Sequence, residues 1–132
     1  MPNKTITIIW NHGSPRFNPP PGATFLRQGD VVTLQLTGAP NGASIDAVTI
    51  YDNRVADGEN VKGDPICGWR RTTPDDCAMY DIAPASDTVV KITDVENPTV
   101  EKRYWFSASG SGPGVPEWEV DPELINQPGG GP

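Results

Sequence analysis

Apolar and polar residues alternate at period two along much of the chain, a spacing that places side chains on opposite faces of a strand. The clearest case is residues 31–37, where Val32, Leu34 and Leu36 alternate with Thr33, Gln35 and Thr37. This predicts a half-buried strand. In residues 5–10, Ile6, Ile8 and Trp10 share one face and Thr5, Thr7 and Ile9 the other. Ile9 breaks strict alternation, so both faces are expected to be partly covered. Residues 103–108 set Tyr104, Phe106 and Ala108 on one face, and further strands are expected at 77–82, 88–92 and 118–120. Residues 44–55 admit two readings. Ile45, Val48, Tyr51 and Val55 also form a helical stripe behind a Ser44 cap, but the Ile, Val, Thr and Tyr content favours a strand over 45–51.

Between these segments the pattern is broken by glycine and proline. Residues 11–22 hold Gly13, Pro15, Pro19, Pro20 and Pro21, and are expected to be a loop crossing one end of the domain. Residues 38–42 read as a turn and residues 107–114 as a flexible hairpin or connection. From residue 52 to about 78 the periodicity dissolves among Gly58, Gly63, Pro65, Gly68 and Pro74. A long irregular insertion is expected there, with short strand pieces only near 66–69. Helix is expected nowhere beyond a turn or two near residues 121–126. Seven to nine short strands between turn clusters predict an all-β chain, a single antiparallel β-sandwich with one long insertion.

With 132 residues the chain has room for one core, and 15 Pro with 14 Gly leave little space for helices of ordinary length. Residues 1–125 are assigned to the sandwich. The Gly/Pro-rich residues 126–132 are expected to be a disordered tail unless a partner orders them. The start of the chain lacks an apolar leader, which points to a cytoplasmic product, to export by another route, or to a leader already removed. No apolar run approaches the length of a membrane span. A net charge of -7 argues against nucleic acid. The basic pairs Arg70-Arg71 and Lys102-Arg103 are too short to track a phosphate backbone.

Phe17-x-Pro19 followed by Gly29-Asp30-Val31-Val32-Thr33-Leu34 resembles the early strands of cupredoxin-like domains, and Tyr104-Trp105-Phe106 sits where those domains lead into their metal loop. The resemblance covers the two ends of the chain, and implies a Greek-key sandwich of cupredoxin-like or immunoglobulin-like type. It does not carry copper with it. A blue-copper centre needs two His, a Cys and usually a Met, whereas the only histidine is His12 and residues 107–118 hold none of these ligands.

Other chemistries are equally short of partners. Two cysteines without a Cys-x-x-Cys spacing do not make a structural zinc site. The oxygens of Asp52, Asn53, Asp57, Glu59, Asn60 and Asp64 do not follow EF-hand spacing, and an ordinary solvated acidic loop is the simpler account. No metal or cofactor is therefore expected. A nucleophilic triad would depend on His12, and no Gly-x-Ser-x-Gly elbow is present. Carboxylate pairs such as Asp75 with Asp81 or Glu117 with Glu119 arise by chance among 17 acids. The chain is expected not to be an enzyme, with a small carboxylate-dependent hydrolase as the outside alternative.

What remains is binding. Residues 52–76 add ordering cost without evident core, and Trp and Arg dominate interface energetics. Trp69, Arg70 and Arg71 are the expected anchors, with Trp69 facing solvent and Asp75 and Asp76 in a polar rim that also draws on Asp57, Glu59 and Asp64. The competing reading is that Trp69 caps the core and the arginines pair with those acids. Cys67 and Cys77, with nine residues between them, are expected to close a disulfide under oxidising conditions. The first functional expectation is a non-catalytic module that binds a protein partner or self-assembles. The second is a carbohydrate-binding module stacking sugars on Trp10, Trp69, Trp105, Trp118, Tyr51 and Tyr80.

Overall fold

The computed structural model describes residues 3–11, 16–18, 23–38, 40–112, 115–120 and 123–129. Its strands are β1 (Asn3–Asn11), β2 (Arg16–Asn18), β3 (Ala23–Leu26), β4 (Val31–Thr37), β5 (Ser44–Ala56), β6 (Glu59–Arg70), β7 (Tyr80–Pro84), β8 (Val89–Asp94), β9 (Lys102–Gly112), β10 (Val115–Val120) and β11 (Glu123–Asn126). One sheet has the order β2-β1-β4-β8-β7. The other has the order β3-β11-β9-β5-β6, with β10 also paired to β9. The fold is thus an all-β sandwich, and no helix occurs among the described residues. Among the described residues no helix is long and apolar enough to cross a membrane.

The alternating positions meet between the sheets. Registers of Ile6 to Leu34 and Ile8 to Leu36, and of Val32 to Ile92 and Leu34 to Val90, stack the inward face of the first sheet. Ile45, Val48, Ile50, Phe106, Ala108 and Leu124 supply the opposing face. Each is fully buried, and interdigitation of two such faces is the main stabilising contribution of a sandwich. Ile9 points outward and is half exposed.

Several expectations are corrected. The sandwich is not purely antiparallel, because β1 runs parallel to β4 and β3 parallel to β11. Parallel partners need a crossover. Here the chain leaves the first sheet after β2, contributes β3 to the second, and returns as β4 beside β1. The expected long irregular insertion is, as far as Arg70, a regular hairpin of β5 and β6. Its tip, Asp57-Gly58, has φ of 52° and 79°, the positive pair required by a two-residue type I′ turn. Two of the breakers that suggested irregularity, Gly63 and Pro65, sit at the register shifts on either side of Tyr51. Gly63 faces Asp52 so closely that a Cβ there would lie 2.0 Å from Asp52 Oδ1. Pro65 lies on the edge strand, where a missing N–H costs no ladder bond. Only residues 71–79 stay irregular.

The helical turn near 121–126 is instead strand β11, recruited by both β3 and β9. Its last residue, Asn126, was assigned to the tail yet is completely buried, and Gly129 N–H still donates to Asn97 at 3.2 Å. Residues 130–132 lie outside the described residues. Within the expected loop 11–22, residues 16–18 form β2; His12, Pro15 and Pro19 to Gly22 lie outside the described residues. Residues 107–112, read as a connection, complete β9.

Candidate functional site

The end of β6 and the segment after it form a clamped edge. Cys67 and Cys77 are joined by a disulfide, 10 residues apart in sequence. The chain then lies back along the free edge of β6. Thr73 N–H donates to Arg70 C=O at 3.1 Å, and Asp76 N–H to Gly68 C=O at 3.3 Å. Gly68 N–H returns a bond to Asp76 Oδ1 at 2.8 Å. Asp75 accepts from Cys77 N–H at 3.1 Å and from Ile82 N–H at 2.9 Å, tying the segment to β7. Beside this clamp is an open groove of about 450 Å³, among whose lining residues are Thr49, Pro65, Ile66, Arg70, Thr73 and Asp76.

The five residues expected to bind are divided by the fold. Trp69 is only 4% exposed and belongs to the core, correcting the expectation that it faces solvent. Its register with Val48, a core residue, turns it inward, and the Arg71 guanidinium covers its ring at 5.2 Å. Arg71 Nε donates to Ile45 C=O at 3.1 Å, and its Nη2 donates to Ser86 C=O at 3.3 Å and Asp87 C=O at 3.2 Å. Its ion-pair partner is Asp87 at 3.9 Å, an acid outside the segment. Trp69 as a core cap, the competing reading, therefore describes the geometry. Arg70 and Asp76 are exposed in the groove, whereas Asp75 is spent on backbone N–H groups.

The solvent face of the same sheet carries a feature that the list of six aromatics did not single out. Trp10, Trp69 and Tyr80 are buried, and the side chain of Trp118 lies outside the described residues, which leaves Tyr51 and Trp105. These two are paired across β5 and β9, and both are half-buried on the outer face. Trp105 Nε1–H donates to Asn53 Oδ1 at 3.0 Å, and Asn53 Nδ2 donates to Asn60 Oδ1 at 2.9 Å. The bond to the neighbouring strand draws the indole across the sheet. Lys62 Nζ stands 4.6 Å above the Tyr51 ring, and Thr49 joins this face to the groove. The signal was present in residues 103–108: if Tyr104 and Phe106 point inward, Trp105 points outward.

A buried polar network closes one end of the sandwich. Tyr80 O–H donates to Asn126 Oδ1 at 2.6 Å, Asn126 Nδ2 to Glu96 Oε1 at 3.0 Å, and Tyr104 O–H to both Glu96 oxygens at 3.1 Å. The two tyrosine rings meet edge to face at 5.9 Å. Asp94, 0% exposed, accepts one bond from Glu96 N–H at 2.9 Å, while its Oδ2 has no protein partner. Burial, reinforced by the negative Glu96 and Asp30 against that one hydrogen bond, pushes its carboxyl up to about 6. Burial, together with nearby acids, likewise raises both Tyr80 and Tyr104. Sequence reading assigned this cluster no role, because its members come from four strands and a loop.

No protein-family model and no curated protein sequence matches the chain. Among solved structures, the bradyzoite-specific antigen BSR4 of Toxoplasma gondii aligns with 99% of this chain at a TM-score of 0.52 and 8% identity. The chain spans half the length of that antigen's chain. Murine CRIg aligns with 81% of this chain and 92% of its own at a TM-score of 0.49 and 12% identity. A chain from a structure on T cell specificity and activation by the bacterial superantigen toxic shock syndrome toxin-1 aligns with 80% of this chain and 93% of its own, at 0.42 and 14%. At 8% identity the likeness to the antigen is one of fold alone.

Proposed function

We propose that the chain is a non-catalytic binding module that engages a protein partner through the solvent face of the sheet containing β5, β6 and β9. The observation that carries this reading is the Tyr51–Trp105 pair, held on that face by Asn53, Asn60 and Lys62 and not by the core. A solvated strand face has no need of such large rings. Aromatic and arginine side chains concentrate binding energy because they remove much area from water while keeping a directed polar contact. Rings fixed before binding lose less entropy on contact. The groove beside them adds exposed Arg70, Asp76 and Ile66. Of the five residues first expected, Arg70 and Asp76 stay in the proposed surface, and Trp69, Arg71 and Asp75 support it from below and beside. The finer assignment to a copper-free cupredoxin-like sandwich is supported by its Gly-Asp motif: Gly29 has φ 94°, Gly29 N–H donates to Asp94 C=O at 2.7 Å, and Asp94 N–H donates to Asp30 C=O at 2.9 Å.

The test uses a partner isolated from the native cell and then purified. Tyr51→Ala with Trp105→Ala is expected to weaken its binding at least tenfold while leaving the unfolding midpoint nearly unchanged. Undiminished binding by a folded double variant refutes the proposed face. A second reading, carbohydrate binding, is favoured by the indole drawn across the sheet beside two side-chain amides, since sugars stack on such rings and hydrogen-bond to such amides. A glycan array on which no sugar is retained by the wild-type chain sinks that reading.

A further inference from the structure

The sulfur atoms of Cys67 and Cys77 and a carboxylate oxygen of Asp76 all lie within 4.8 Å of one another. The thioether of Met79 is 3.6 Å from the Cys67 sulfur and packs, with both cysteines, against the core. Two potential thiolates and a carboxylate thus converge, with a thioether beside one of the sulfurs. The spacing of the cysteines in sequence gave no hint of this, because the carboxylate reaches them only when the segment folds back along β6. We infer that Cys67, Cys77 and Asp76 form a site for a thiophilic divalent cation, zinc or cadmium, when the disulfide is reduced. The site shares Asp76 with the groove beside the Tyr51–Trp105 face, but it rests on the cysteines and not on the binding reading.

Geometry favours this because the segment is held by more than its disulfide. Thr73 and Asp76 bond back to β6, Asp75 bonds to Cys77 N–H and Ile82 N–H, and Arg71 is fastened to Ile45, Ser86 and Asp87. Cleavage of the sulfur–sulfur bond leaves all of these contacts in place, so the thiols stay close. Tetrahedral zinc with metal–sulfur bonds of roughly 2.3 Å sets its sulfurs roughly 3.8 Å apart. The freed sulfurs need only swing apart by side-chain rotation, and the Asp76 oxygen needs a shift of about an ångström to reach the same centre. Sulfur-rich donors select zinc, cadmium or copper(I) over magnesium or calcium, and the carboxylate suits a divalent ion. The fourth position belongs to Met79 Sδ or to water.

The chemistry is that of thiol–disulfide exchange. Two equivalents of a thiol reductant transfer two electrons and two protons to the disulfide, giving two thiols and leaving the reductant as its own disulfide. The cation then displaces both thiol protons to solvent and binds the thiolates. A disulfide oxidant reverses the process by exchange: it accepts the two electrons, and two protons from solvent, to become two thiols, the Cys67–Cys77 bond re-forms, and the cation is released.

The experiment titrates the full chain with cadmium, under anaerobic conditions after reduction and in parallel in its oxidised form. Reduced protein is expected to bind one ion per chain with a thiolate-to-metal charge-transfer band, and oxidised protein to show no band. Asp76→Asn is expected to weaken binding tenfold or more, and Cys67→Ser with Cys77→Ser to abolish it. A variant that fails to fold is replaced by a second readout on the unmodified chain: zinc raises the unfolding midpoint of the reduced protein and not that of the oxidised protein. No band on reduction, two chains per ion, or undiminished affinity in folded Asp76→Asn overturns the site; so does an unmoved midpoint.

Discussion

Asp94 couples the fold to pH at the scale of one side chain. Its folded carboxyl is raised from 3.8 to about 6, so the folded state binds a proton that the unfolded chain has already released. The contribution is therefore most favourable below pH 3.8 and is lost as pH rises through about 6. From well below pH 3.8 to well above pH 6 the loss amounts to about 3 kcal/mol. Urea unfolding at pH 5 and pH 7.5 is expected to show that Asp94→Asn gains relative to wild type at the higher pH; a difference between the two proteins that does not change with pH refutes the coupling. Neighbouring Tyr80 makes a second test. Tyr80→Phe leaves Asn126 Oδ1 without its donor in a fully buried place, at an expected cost of about 1–3 kcal/mol in the same assay. Trp69 shows what position, more than residue type, decides. Trp and Arg in sequence next to each other read as an interface, yet the register with Val48 places the indole in the core. Trp69→Ala is expected to cost about 3–5 kcal/mol and to leave partner capture by the folded fraction intact, the reverse of Tyr51→Ala with Trp105→Ala.

Among the elements, β4 and β9 were readable because one face of each is buried and the other wet, which writes the period into the sequence. The β5–β6 hairpin was readable only in its first half. Beyond Tyr51 the strands run out past the core, as their increasing exposure shows, so alternation has no buried face to follow and fades. The Asp57-Gly58 turn was nevertheless a legible hairpin signal between Val55 and Val61. The bulges were not, because a glycine or proline in an edge strand looks the same as one in a loop. For the candidate site, the cysteine pairing was suggested by sequence, but Asp76 beside it and Arg71 reaching β5 depend on how the segment folds back. Disulfide closure acts on this element by restricting the unfolded chain. Cys67→Ser with Cys77→Ser is expected to lower stability by about 2–3 kcal/mol in the absence of metal. Equal urea midpoints for the double variant and the oxidised wild type would show that the clamp is maintained by its hydrogen bonds alone.

For the whole molecule, the decisive contacts join the ends of the chain. Among the described residues β3 pairs within its sheet with β11 alone, and β1 comes to lie beside β4 after the chain has crossed over through β3. Local patterning carries no information about such pairings, which is why the sandwich was legible and its parallel pairs were not. The same topology explains why the short strand β11 was read as a helical turn: Glu123 to Asn126 has four residues, too few to display a period. Its burial shows its weight. Leu124 and Ile125 are buried within the second sheet, and Asn126 completes the network that satisfies Tyr80 and Glu96. A chain ending after Val120 therefore loses two core side chains, a buried hydrogen-bond hub and the strand that pairs with β3, a loss of several kcal/mol against a total of about 5–15 kcal/mol. It is expected to lose its cooperative urea transition. A chain ending after Gly129 keeps β11 and the Gly129–Asn97 bond, and is expected to unfold within about 0.5 kcal/mol of the full chain, since it keeps every described contact of β11. If the shorter chain unfolds cooperatively at the wild-type midpoint, β11 is dispensable and the domain ends before it. A large loss in the longer chain would instead make residues 130–132 part of the fold.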